Sequence, residues 1–499
     1  MKKLLLLLTP FLFWGAAHAK DIYVAQSTQG SNSGADATNA HSAAWFNTST
    51  NWGNGAGNIS AGDTVHLCGT LTSELTAQAG GSSGNVITIL FETGAQMSKA
   101  YWNTTALTLN NSYITVDGGT NGLIECTANG TGLANQRDCK GIYVNSASNV
   151  TIRNLTIRNI YVRTAGTELN GFGAGIFFDA SMSSISNILA ENCKISHASN
   201  GIVSNFGSNS SNYVFRNNTV SYCNWSINAG DRGSKTDSLT GLVISGNTVS
   251  QWSNWNETSA NSFHHNGVFI YANQGTCTGP IVSGNFFGAG LGGSYQTSYI
   301  YENTGIINPI VCNNIFAPGN NEGSGNGAVV VSSTLATTIR IVNNTFVQIG
   351  TGGPGIQTTG FPPGQTLIIQ NNIFSGNWYY NISLYSTSNL TTILNHNLYF
   401  NAPHFSVGAG FETYATWKSY GYDTDAILTD PKLDSSYHLM TGSPAIGAGT
   451  SFLSLNIPLL TADKDGNARS SWDLGAYKSG GVSPTLPPSN AVININTGP

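Results

Sequence analysis

Asn313-Asn314-Ile315-Phe316 returns thirty residues on as Asn343-Asn344-Thr345-Phe346, and then as Asn371-Asn372-Ile373-Phe374. The same phrase, one or two Asn ahead of alternating apolar residues, occurs earlier as Arg153-Asn154-Leu155-Thr156-Ile157, Glu191-Asn192-Cys193-Lys194-Ile195, Asn217-Asn218-Thr219-Val220, Gly246-Asn247-Thr248-Val249 and Gly284-Asn285-Phe286-Phe287. Taking the last Asn of each, positions 154, 192, 218, 247, 285, 314, 344 and 372 are separated by 38, 26, 29, 38, 29, 30 and 28 residues, about 31 on average. A period of that size denotes a solenoid.

Each repeat holds short runs of β-branched and aromatic residues alternating with period two, so the repeating unit is made of strands. A second run per repeat opens on a small residue, as in Gly141-Ile142-Tyr143-Val144, Gly175-Ile176-Phe177-Phe178, Gly201-Ile202-Val203, Gly267-Val268-Phe269-Ile270 and Gly355-Ile356. Two or three short strands per turn with tight polar corners make one coil of a single-stranded right-handed parallel β-helix, an all-β fold. Asn at a corner tolerates left-handed backbone and can bond to its counterparts above and below, forming a ladder. About a dozen coils, each rising about 4.8 Å, give a rod on the order of 55 Å long.

Outside the repeats the chain divides by composition. Lys2 and Lys3, the apolar run Leu4 to Trp14 and Ala17-His18-Ala19 read as a signal peptide over residues 1–19. Residues 20–60, with Trp45 and Trp52, are expected to cap the open end of the helix, which spans 61–400. Residues 401–480 form an irregular closing segment, and 481–499 a disordered tail. No other stretch is apolar for long enough to span a bilayer, so a secreted, extracellular or periplasmic monomer is expected.

Charged residues are only 9% of the chain while hydrophobic ones are 40%, a composition that can bury a core. Without Lys2 and Lys3 the balance is 17 basic against 24 acidic residues, a charge of −7, which gives no attraction to nucleic acid or anionic lipid. None of the seven cysteines forms a CxxC pair; in a secreted chain a Cys126–Cys139 disulfide is the expectation, with buried core thiols as the plain alternative.

The opening Asp21-Ile22-Tyr23-Val24-Ala25, followed by a Gly/Ser/Asn run, and the endings Gly442-Ser443-Pro444-Ala445 and Asp473-Leu474-Gly475-Ala476-Tyr477 add a resemblance to the coils. With them the chain resembles the bacterial right-handed parallel β-helix repeat proteins of the pectate-lyase-like superfamily. That resemblance implies a polysaccharide or glycan substrate, since characterised relatives are mostly polysaccharide lyases, glycoside hydrolases and uronan epimerases. The polygalacturonase signature of Asn-Thr-Asp, Asp-Asp and Gly-His-Gly is missing, as is the Asp-Pro-His of alginate epimerases, and a shared fold does not supply an activity.

Longer loops, Tyr161 to Gly173 and Gln251 to Asn266, account for the two 38-residue intervals, and long loops on a regular scaffold are where sites are built. The first carries Arg163 and Glu168; the second carries Trp252, Trp255, Glu257 and Phe263-His264-His265-Asn266-Gly267. Aligned on the residue that opens the strand, His265 matches Ser199, and His197 falls one position from His264. At the other end of the same strand Asp179, Asn205, Asp231 and Glu302 are nearly equivalent, with Arg232 beside Asp231, so a groove along one face is expected. In it a histidine would act as general base, and Arg232 or Arg163 would neutralise a uronate carboxylate, as β-elimination needs. Asn266 stands where the resemblance leads one to expect an acid after the His pair. Hydrolysis would instead use Asp231 with Glu302, and such acids are also Ca²⁺ ligands. Trp225, Trp252, Trp255, Tyr271, Tyr299 and Tyr301 offer flat faces to sugar rings, with Glu168 and His197 as further binding residues. The plain alternatives are corner histidines bonded to backbone, solvated corner acids and rings that only cover the coil edge. At the level of function the sequence supports a carbohydrate-active protein, β-elimination ahead of hydrolysis, against a noncatalytic surface rod or adhesin.

Overall fold

In a computed structural model the described residues are 19–481 apart from 163–172, 182, 252–264, 289–297, 319–326, 336, 360–361, 388–389, 402, 409 and 452–456. Strands repeat in threes. The first of each coil builds one sheet, from Asp21–Ala25 and Thr64–Leu67 up to Leu390–Asn395. The second builds another, from Thr70–Leu71 to Leu398–Phe400, and the third runs from Leu75–Ala77 to His404–Val407. Every rung pairs in parallel with the next coil; the exception among the named strands is His404–Val407 with Glu412–Thr413, which are antiparallel. Counted from Thr64, the described strands make twelve coils.

Parallel stacking turns each inward position into a column of like residues. On the third sheet one column reads Ile142, Ile176, Ile202, Ile227, Val268 and Ile300, all solvent-free. On the second, Phe287, Phe316, Phe346, Phe374 and Tyr399 stack with ring centroids 4.5 to 5.2 Å apart, each burying a large apolar face against the next.

The Asn repeat divides into two neighbouring columns with separate tasks. Asn218, Asn247, Asn285, Asn314, Asn344, Asn372 and Asn397 form the ladder: each of the first six donates its backbone N–H and side-chain amide to the side-chain oxygen of the next, at 2.9 to 3.1 Å. One residue earlier, Asn154, Asn192, Asn217, Gly246, Gly284, Asn313, Asn343, Asn371 and His396 turn the corner with φ between 54° and 65°, where Asn and Gly carry the least strain. Asn154 and Asn192 therefore belong to the corner column, not the ladder, and Cys193 holds the ladder position in its coil, its N–H donating to Asn218.

The ends and flanks are closed by irregular chain. Phe46 and Trp52 cover the N-terminal coil, and the helix Tyr414–Ser419 lays Trp417 on Phe405 at 4.4 Å. The segment after Ile427 then returns along the side of the rod. Ile457 and Leu460 pack on Cys312, Val342 and Ile368, while Leu439, Ala445 and Leu474 pack on Ile373 and Leu398. Corner Asn side chains hold it in place: Asn313 donates to Ala462 O, Asn343 to Asp473 O and Asn371 to Thr450 O. The expected Cys126–Cys139 disulfide is not formed. The two sulfurs are 3.8 Å apart as buried thiols, a contact well beyond the S–S bond length of about 2.05 Å.

Candidate active site

The third sheet presents outward-facing columns at its middle coils. One reads Thr108, Tyr143, Phe177, Val203, Asn228 and Phe269, the last four of them buried. Ala174, Phe177 and Val203, with Tyr143 against them, form an apolar cluster separate from the core. At the N-terminal end of this face lies a cleft of about 500 Å³ lined by Thr104, Thr105, Thr108, Asp138, Lys140, Tyr143, Phe177 and Asp179.

Its polar centre spans adjacent coils. The Tyr143 hydroxyl donates to Asp179 Oδ2 at 2.6 Å, and the Lys140 ammonium sits 5.7 Å from the Tyr143 ring centroid. Burial pushes the Tyr143 phenol well above its ordinary pKa, and the Asp179 carboxylate adds to the effect. For Asp179 burial acts upward too, but hydrogen bonds from Ser181, Tyr143 and Asn205 outweigh it and hold the carboxyl below its ordinary value. The cleft thus combines a cation, a protonated phenol and an ionised carboxylate. Lys140 and Tyr143 were not singled out in the sequence, although Asp138-Cys139-Lys140 stands out in so lightly charged a chain.

Four coils on, about 20 Å away, the same face carries several of the expected residues. His265 is fully buried immediately before Asn266, which pairs with Trp225 and Ser298, so His265 does share the column of Ser199. Trp225, Phe269 and Tyr271 follow one another across the sheet at 5.4 and 4.7 Å. Tyr271 lies flat over Gly230, where a Cβ would approach the ring to 2.0 Å. The backbone of Tyr301 continues the column of Phe269. His197 instead turns a corner at φ 53°, stacked on Tyr222 at 4.5 Å, with burial lowering its pKa.

The acids do not form the expected column. Glu302 pairs with Ile270 and Val331 and faces inward, solvent-free, with neither carboxyl oxygen hydrogen-bonded; burial pushes its pKa up to about 8. Asp231 pairs with Phe206 rather than Asn205, and its Oδ2 accepts from the backbone N–H groups of Gln274 and Gly275. Arg232 is committed to Asp237 at 2.9 Å and to the carbonyls of Ala180 and Ser181. An Asp231–Glu302 hydrolytic pair is therefore corrected: one acid braces a turn and the other is enclosed by the coil. Arg163, Glu168, Trp252, Trp255 and His264, the signal peptide up to residue 18 and the tail from 482 lie outside the described residues. Among the described residues no group of three or more His, Cys, Asp or Glu is placed to hold a metal ion, and no helix is long and apolar enough to cross a membrane.

No protein-family model and no curated protein matches the chain. Solved structures do. A complex of XylC with xylose aligns at 10% identity over 92% of this chain and 98% of that one, with a TM-score of 0.54. Pectate lyase Pel9A aligns at 14% identity over 93% and 97%, TM-score 0.43. The GH136 lacto-N-biosidase from Eubacterium ramulus aligns at 13% identity over 76% and 67%, TM-score 0.45. At these identities the likeness is one of fold, and the fold is the parallel β-helix.

Proposed function

We propose that the chain is a carbohydrate-active β-helix protein that takes a polysaccharide into the Lys140–Tyr143–Asp179 cleft of its third sheet and cleaves it there by β-elimination. The observation that carries this reading is the 2.6 Å Tyr143–Asp179 hydrogen bond beside Lys140 in an open cleft. The likeness of fold to XylC, solved with xylose bound, supports a glycan ligand.

β-Elimination on a uronate needs a cation on the carboxylate, a base at C5 and an acid at the glycosidic oxygen. Lys140 supplies the cation, which makes the C5 proton more acidic. Asp179 takes that proton, the freed electron pair forms the C4–C5 double bond, the C4–O4 bond breaks, and O4 receives the Tyr143 proton. Return of the proton from Asp179 to Tyr143 along their hydrogen bond resets the pair. Asp179 is a weak base, so the step depends on Lys140. Incubation with a panel of uronic and neutral polysaccharides should release unsaturated ends, read by ultraviolet absorbance, and Lys140→Ala should abolish them. New reducing ends without unsaturation would assign hydrolysis, with Asp138 and Asp179 as the acids lining the cleft. Neither product across the panel would favour a noncatalytic extracellular rod. Export through residues 1–19 belongs to the same proposal, and N-terminal sequencing of the exported protein should begin at Lys20.

A further inference from the structure

Eight rungs from Tyr143, at the C-terminal end of the same sheet, four rings gather where the chain enters the last two coils. Tyr379 and Tyr380 meet at 4.5 Å, Tyr380 and Phe411 at 6.0 Å, and His404 and Phe411 at 4.5 Å. Tyr379 and Phe411 are 58% and 55% exposed, the more solvent-facing rings of the group. The Tyr380 hydroxyl interacts with those of Tyr379 and of Ser406, and Ser406 continues, through Ser383 and Gln357, the outward column that holds Tyr143 and Phe269. The floor beside the rings thus offers the Gln357 amide and the Ser383 hydroxyl, with Glu412 next to Phe411, and it lies on the same sheet as the cleft, from which the buried positions Phe177, Val203, Asn228, Phe269 and Val330 separate it.

From this arrangement we infer that Tyr379, Tyr380 and Phe411 are a second glycan-binding platform, which holds a polysaccharide chain by stacking on its sugar rings while another stretch of the same chain occupies the Lys140–Tyr143 cleft. The inference rests on the functional reading above for its ligand class. Exposed rings with polar edges suit the apolar faces of a pyranose, and neighbouring hydroxyl and amide groups suit its equatorial oxygens. At about 4.8 Å per rung the two places are on the order of 40 Å apart, so only a long chain reaches both. Its affinity then gains from the second attachment without any new contact at the cleft.

The test separates binding from cleavage. Native gels cast with each polysaccharide of the panel measure retardation of the wild type, of Tyr379→Ala with Phe411→Ala, and of Lys140→Ala. The platform predicts that the double variant binds the polymer about tenfold more weakly, while Lys140→Ala, even if inactive, is still retarded. Where cleavage is seen, the double variant should raise KM for polymer and leave rates on oligosaccharides too short to span the face unchanged. Both substituted rings are exposed, so an unaltered melting temperature is the control for folding. Retardation of the double variant equal to wild type, or no retardation of the wild type by any glycan, would overturn the inference. So would a change in self-association, measured by sedimentation, as the sole effect of the substitutions, since it would make the patch a contact between copies of this chain.

Discussion

Glu302 is a carboxyl sealed among hydrocarbon, and it ties folding to pH. Its folded pKa near 8 lies above the ordinary glutamate value of about 4.3, so the folded state holds a proton that the unfolded state has released between those limits. The contribution to stability is complete below about pH 4.3 and is lost as pH rises through 8, at about 1.4 kcal/mol per pH unit. Glu302→Gln keeps the shape without the titration and should flatten that slope; melts at about pH 5 and about pH 8 compare the two proteins, and parallel slopes would refute the assignment. Asp423, pushed up to about 6 mainly by burial, adds a smaller effect of the same sign over a narrower range. At the cleft, Tyr143→Phe preserves the ring on Phe177 and removes the proton donor. Turnover should fall by about 10² to 10⁴ while stability changes by about 1 kcal/mol, measured as kcat on the cleaved glycan and as urea midpoint.

At the level of the corner, one residue type serves two purposes, and substitution should separate them. Asn314→Ala removes the oxygen that receives both donors of Asn285 and should cost on the order of 3 kcal/mol. Asn192→Gly, exposed and at φ 55°, should fall within about 0.5 kcal/mol of wild type, since glycine accepts that geometry. Equal losses of melting temperature would contradict the division. This doubling also explains how far the sequence could be read. The repeat period, the strands and the stacked coils follow from the Asn phrase, but Asn154 and Asn192 look identical to ladder residues although they occupy the corner. The acids were misplaced for a related reason: Glu302 pairs with Ile270 rather than Tyr271, and in a strand a slip of one residue moves a side chain from the outer to the inner face. Tyr143 passed as an ordinary strand residue because its partner, Asp179, lies 36 residues away, and only the stacking of coils brings them together.

Across the whole molecule the returning segment decides which faces remain available. It covers outward apolar residues of the first and second sheets, among them Cys312, Val342, Ile368, Ile373 and Leu398, and leaves the third-sheet cleft open. Deleting residues after 427 should therefore lower the melting temperature and increase binding of a hydrophobic dye, because those side chains would face water. Unchanged dye binding would mean that the flank is closed in another way. A repeat protein stabilised mainly by neighbouring coils should show this loss first in its C-terminal half, which protection of backbone amides from exchange would locate.

Each ladder side-chain amide gives one N–H back to a carbonyl of the coil before and the other on to the oxygen that follows, and for the last, Asn397, that oxygen is the Asp423 carboxylate at 2.8 Å. Tyr399 and Trp417 donate to the same group. Such a row has a head and a tail, and a foreign strand arriving at the C-terminal end would find the Asn397 donor already taken by Asp423 and Trp417 in the way. Asp423 thereby satisfies the last donor of the row at an end where an unfinished edge would invite strand addition.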